Sequence, residues 1–173
     1  MYKRILVPVD GSPTSQQGLA EAIGVAKVHG SCIRLIHVVN EFIIDYGYAG
    51  GATCFPDLID SLRKIGTKVL DEAEATVSKA GIDISRVMHE TVGGRAAGLI
   101  VQEAKEWGAD LIVMGTHGRR GIARVAMGSD AEEVVRTACI PVLLVRGAHR
   151  TTGSHVEPVA RRDADDHVVS AAG

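Results

Sequence analysis

A chain of 173 residues, 46% hydrophobic and 23% charged, is long enough to bury one core without disulfide or metal staples, and a single domain is the default expectation. Its net charge of −2 gives no long-range attraction for nucleic acid or an anionic membrane, and no apolar stretch approaches a membrane span. Cys32, Cys54 and Cys139 are odd in number, far apart and outside any CxxC or Cys/His cluster, which argues for reduced thiols and against a disulfide frame or structural zinc.

The opening "MYKRILVPVDGS" has two basic residues but only five consecutive apolar ones before an Asp, too few for the core of a signal peptide, so a cytoplasmic protein is expected. Within it "RILVPV", Arg4 to Val9, is apolar on both faces and predicts a buried strand. Ser12 before Pro13 has the form of an N-cap and a first-turn proline, and Leu19, Ala22, Ile23 and Ala26 share one face of the helix that follows. Gly30 is placed to end it. A second strand, "CIRLIHVV", runs from Cys32 to Val39, and its His37 reads as a satisfied core histidine. "NEFIIDYGYAGGATCF", Asn40 to Phe55, gathers both phenylalanines and two of the three tyrosines; a lid, a partner-binding patch and ordinary packing all remain open.

Leu58, Leu62, Ile65 and Val69 predict a second helix that Gly81 ends, and "SRVMHETV", Ser85 to Val92, is a weaker strand candidate. Ala96, Ile100, Ala104 and Trp107 mark a third helix stopped by Gly108, before the strand "DLIVMG", Asp110 to Gly115. Ala131, Val134, Val135 and Ala138 mark a fourth helix, with "SDAE" at Ser129 to Glu132 read as its capping box, and "PVLLVR", Pro141 to Arg146, is the last strand. The order βαβαβαβαβ calls for right-handed crossovers and a mostly parallel, doubly wound sheet with helices on both faces, an α/β domain over residues 1–147. Residues 148–173 mix Gly, Ser, Thr, Pro and charge without a period and read as a flexible tail.

Ligands of such sheets sit at the carboxyl ends of strands, where strand order reverses, so Asp10, Asn40 and a glycine cluster after the fourth strand are expected to face one crevice. The cluster is spaced G-x2-G-x9-G-S over Gly115, Gly118, Gly128 and Ser129, and its last two residues open a helix whose free N–H groups and dipole favour an anion. Neither the GxxxxGK[ST] phosphate loop nor the GxGxxG dinucleotide fingerprint fits.

The spacing resembles the nucleotide motif of the universal stress protein family, and the likeness extends from Tyr2 to Arg146 through "KRILVPVDGS", "HVV" and "ADLIVMGTHGRRG". It implies the sheet order 3-2-1-4-5 and a homodimer formed by antiparallel pairing of the last strand. It further implies ATP as ligand, with Pro8, Val9 and Asp10 meeting adenine and ribose, Val38 touching adenine through its backbone, and Met114 and Gly115 lining base and sugar. Gly118, Gly128 and Ser129 would present N–H and hydroxyl groups to the phosphates, assisted by His117 and Arg119.

Asp130 departs from the apolar residue common in the family at that place, and Glu132 and Glu133 follow it. At ~4 Å two unit charges repel by about 1 kcal/mol in water and about 4 at an effective dielectric of 20, so Asp130 is expected to weaken ATP binding or make it depend on a divalent cation such as magnesium. Arg119, Arg120 and Arg124 could offset it or simply be solvated. Ser129 has an alternative role as an N-cap and Asp10 as a cap of the first helix or turn. His29, His89, His149, His155 and His167 are too dispersed to form a metal site, and none is expected.

No general base poised for water, Walker-type lysine or partnered nucleophile is evident, so the reading is a small cytoplasmic ATP-binding regulatory protein rather than an enzyme. Slow hydrolysis or autophosphorylation stays open, as does a dimeric interaction module without nucleotide. A phospho-acceptor receiver ranks below these, because "HETVGG" follows the third strand where an acceptor Asp is needed.

Overall fold

A computed structural model of the chain describes residues 2–40, 56–91, 94–118 and 127–147. Strands and helices alternate as β1 (Arg4–Pro8), α1 (Pro13–His29), β2 (Cys32–Asn40), α2 (Pro56–Lys79), β3 (Ile84–Thr91), α3 (Ala96–Trp107), β4 (Leu111–Gly115), α4 (Ser129–Thr137) and β5 (Val142–Val145). The aromatic loop 41–55 with Cys54, the arginines Arg119, Arg120 and Arg124, and the tail 148–173 lie outside the described residues.

The five strands form one parallel sheet in the order β3-β2-β1-β4-β5. Alternation along the central strands divides the core in two. Ile5 and Val7 of β1 join Ile33, Leu35, Leu111 and Val113 beneath α1 and α2, which contribute Leu19, Ala22, Leu70 and Val77. Leu6, Ile36, Ile112 and Met114 face the other way, onto Ala97, Ile100, Ala104, Ala131 and Val134 of α3 and α4. Both faces of the inner strands are therefore buried, which is why they read as unbroken apolar runs. Strand β3, at the edge, is only half-buried, and its pattern is correspondingly weaker in sequence.

Helix α1 starts as expected, with Ser12 as N-cap accepting from the Ser15 amide and Pro13 in the first turn. Gly30 and Gly108 close α1 and α3 in the left-handed region, at φ 61° and 70°, where a side chain would be strained. Two residues assigned to buried helix faces are not buried: Ile65 is 43% and Val135 45% exposed. In α2 the inward position is Gly66, against which a Cβ would lie 2.7 Å from the His37 ring and 3.0 Å from Met88 Sδ. The helix approaches the sheet too closely there for any side chain, so a search for apolar residues selects the neighbour instead.

Candidate functional site

Strand order reverses at β1 and β4, and a cavity of about 540 Å³ lies against the carboxyl ends of these strands and β2. It is lined by Pro8, Val9 and Asp10 at and after the end of β1, by Val38 on β2, by Met114, Gly115, His117 and Gly118 at and after β4, and by Gly128, Ser129 and Asp130 at the start of α4. These residues come from four stretches of chain, and the fold brings them to one crevice; Arg119 belongs to the stretch outside the described residues. Asn40 ends β2, and its side chain is likewise outside them.

Hydrogen bonds hold the rim of this cavity in place. The Val9 amide donates to the Ile36 carbonyl at 2.9 Å, and His37 Nδ1 lies 2.7 Å from the Val9 carbonyl oxygen, so Nδ1 carries the proton and donates. At 5% exposure His37 is the satisfied histidine its strand implied, and it also lines the cavity. Asp10 Oδ1 accepts from the Ser12 amide at 2.9 Å, closing the turn into α1, while the Asp10 amide donates to Ser15 Oγ at 3.2 Å. Across the crevice the Gly128 amide donates to the Thr116 carbonyl at 2.8 Å, so both ends of the glycine loop meet. Thr14 Oγ1 donates to the His117 carbonyl and ties the loop to the first turn of α1.

The glycines have different reasons to be glycines. A Cβ on Gly115 would lie 2.9 Å from the Thr14 carbonyl carbon and oxygen, so this glycine lets α1 pack onto β4. On Gly118 it would lie 2.8 Å from Asp10 Oδ2, inside the crevice. Neither has a positive φ, and close approach is the requirement at both.

The capping box expected at Ser129 is not formed. The N-cap of α4 is Gly128, which has no side chain to offer, and the Glu132 amide bonds the Gly128 carbonyl at 3.0 Å. Ser129 is thus the first helical residue, and Ser129, Asp130 and Ala131 line the cavity with no side chain capping their end of the helix. Physically, the tie between Gly128 and Thr116 sets where the helix begins, one residue earlier than the pattern "SDAE" indicates.

Several lining residues had no functional signal in the sequence. Ile36, Ala96, Ile100 and Ala131 read as helix or strand core, and Leu62 as a helix face, because an apolar residue looks the same whether it faces another helix or a crevice. Ser15 and Thr116 line it as well. The resulting chemistry is a half-apolar pocket with a helix N-terminus and two acidic residues, Asp10 and Asp130, in its lining. Among the described residues no group of three or more His, Cys, Asp or Glu side chains could hold a metal ion. No helix there is long and apolar enough to cross a membrane.

A doubly wound parallel sheet with such a crevice at its switch point defines a class of small α/β ligand-binding domains. Comparison with known proteins narrows it. The profile of the universal stress protein family matches residues 1–146, and the chain belongs to that family. Universal stress protein YxiE of Bacillus subtilis (strain 168) is 30% identical over 151 residues, covering 84% of this chain and 100% of the relative. The solved structure of MJ0577, from Methanocaldococcus jannaschii, aligns with a TM-score of 0.74 at 25% identity over 84% of this chain and 96% of its own. A universal stress protein in complex with cAMP aligns with a TM-score of 0.59 at 26% identity, covering 85% and 98% of the two chains. One from Archaeoglobus fulgidus in complex with dAMP also gives 0.59, at 25% identity over 84% and 98%.

Proposed function

We propose that this protein binds an adenine nucleotide, ATP in the cell, and uses it to change its state or partners under stress. The observation that carries the reading is the start of α4: three successive residues with no capping side chain line the cavity, so an anion there would meet backbone N–H groups and the positive end of the helix dipole. The apolar walls at Ile36, Val38, Ile100 and Met114 suit a planar base. Relatives solved in complex with cAMP and dAMP support adenine as that base.

Pro8, Val9 and Val38 would then hold adenine, and Asp10 would accept from ribose hydroxyls. Gly115 and Gly118 would admit the sugar and phosphates, and Ser129, with His117 and Arg119, would attend the phosphates. ATP supplies a charged, hydrolysable chain whose presence or loss distinguishes two states of the protein. The proposed form is a homodimer joined through Pro141 to Arg146, because β5 is an edge strand with Leu143 38% exposed, and an unpaired edge is a template for a second copy. The proposed setting is the cytoplasm, where thiols such as the unpaired Cys32 and Cys139 stay reduced.

The test is to denature freshly purified protein, separate the supernatant by anion exchange beside ATP, ADP and AMP standards, and titrate stripped protein with ATP with and without magnesium. Co-purified or titrating ATP is the expected result. Absence of both would favour the second reading, a dimeric interaction module without nucleotide, for which Asp130 in the cavity lining is the specific observation.

A further inference from the structure

Resting on the nucleotide reading, we propose that Asp130 makes the cavity select its ligand by phosphate charge. A monophosphate is taken in preference to a cation-free triphosphate, and the triphosphate is accepted as its divalent-cation complex. The three acids of α4 differ in what they do. Glu133 is committed to Arg95, at 2.8 Å, and Glu132 is exposed and outside the cavity lining. Asp130 lines the cavity, and its side chain makes no hydrogen bond or ion pair among the described residues.

Asp130 occupies the second position of the helix, where the dipole favours a negative charge, so the side chain uses part of the potential that a phosphate would otherwise use. Asp10 lines the same cavity, and a Cβ on Gly118 would lie 2.8 Å from its Oδ2, so the loop that would receive the phosphates passes directly beside it. Each added phosphate brings more negative charge into a cavity whose lining already holds two acidic residues, and in a partly dry site that repulsion is stronger than in bulk water. A divalent cation removes that repulsion, and carboxylate and phosphate oxygens are the ligands it takes. Two carboxylates do not make a protein-only metal site, and no larger group stands among the described residues, so the cation arrives with the nucleotide.

The experiment is calorimetric titration of the nucleotide-stripped full chain with AMP and with ATP, each in EDTA and in magnesium, for wild type, Asp130→Asn and Glu132→Gln. Wild type in EDTA is expected to bind AMP about tenfold or more tightly than ATP, as one unscreened carboxylate close to the chain implies, and magnesium closes the gap. Asp130→Asn narrows the EDTA gap to about threefold or less, whereas Glu132→Gln, the same change of net charge outside the cavity, leaves it as in wild type. Asp130→Ser, which keeps a residue suited to a helix start, serves if the Asn variant does not fold. ATP binding in EDTA as tightly as AMP, or an unchanged gap in the Asp130 variants, overturns the proposal while leaving nucleotide binding intact. Failure of every nucleotide to bind any of the proteins overturns the functional reading itself, and this inference with it.

Discussion

Gly115 and Gly118 stand three residues apart in one motif and are expected to fail differently when a side chain is added. Alanine at Gly115 presses on the Thr14 backbone, which is fixed in the first turn of α1, so Gly115→Ala should lower unfolding free energy by about 1–3 kcal/mol in urea titrations. At Gly118 the obstacle is the end of the Asp10 side chain, and the residue is exposed, so Gly118→Ala should cost less than about 1 kcal/mol of stability yet weaken nucleotide affinity by displacing that carboxylate. Equal stability losses would reject this division. The spacing of the glycines was visible in the sequence, and so was their position after a strand. What each one makes room for was not, because the obstacles, Thr14 and Asp10, lie about a hundred residues away along the chain. The same holds for His37, legible as buried in a strand but not as the donor that holds the Val9 carbonyl.

Helix α3 is anchored to the sheet by a carboxylate that its apolar pattern does not reveal. Glu103 is 5% exposed and accepts from Arg34 Nη1 on β2 and from His89 Nε2 on β3, each at 2.8 Å. Arg34 also donates from Nε to Ser85 Oγ at 2.9 Å and lies over the Trp107 ring, 4.6 Å from its centroid. Burial pushes the Glu103 carboxyl up, but the hydrogen bonds from His89 and Arg34 and their charges outweigh it, and its pKa is held below the ordinary value. A carboxyl lowered by folding contributes stability that is present above its unfolded pKa and is lost as pH falls through the folded value. Stability should therefore decline on the acid side, below about pH 4.5, and Glu103→Gln should flatten that limb while lowering stability at pH 7 by about 1–3 kcal/mol. An acid limb identical in the variant would show that Glu103 is not its source. In sequence, Arg34, His89 and Glu103 are three unrelated polar residues. Only the pairing of β2 with β3 and the docking of α3 put them in one place.

The two edges of the sheet are treated unequally. Along β3, Arg86 is paired with Asp71 and Glu74, and Glu90 takes a two-pronged contact from Arg63 at 2.7 and 2.8 Å, so this edge is flanked by charges tied back to α2. Among the described residues no ion pair flanks β5, and Leu143 on it is exposed. If two chains pair through β5, Leu143→Asp should convert the dimer to a monomer in sedimentation velocity, with an unchanged circular dichroism spectrum. A dimer that survives the charge would move the interface elsewhere.

Alternation of strands and helices, the buried character of the inner strands, the stop signals and the glycine spacing were all local properties, readable because each depends on residues within a turn or two of one another. Together they specified a doubly wound parallel sheet and the end of it at which the cavity lies. Contacts between distant segments lay beyond that reading: the closeness of α2 to His37 that turns the helix on Gly66, the Gly128 to Thr116 bond that makes Gly128 rather than Ser129 the N-cap of α4, and the burial of Glu103. These depend on distances across the fold, and a one-dimensional pattern carries none of them until the chain has packed.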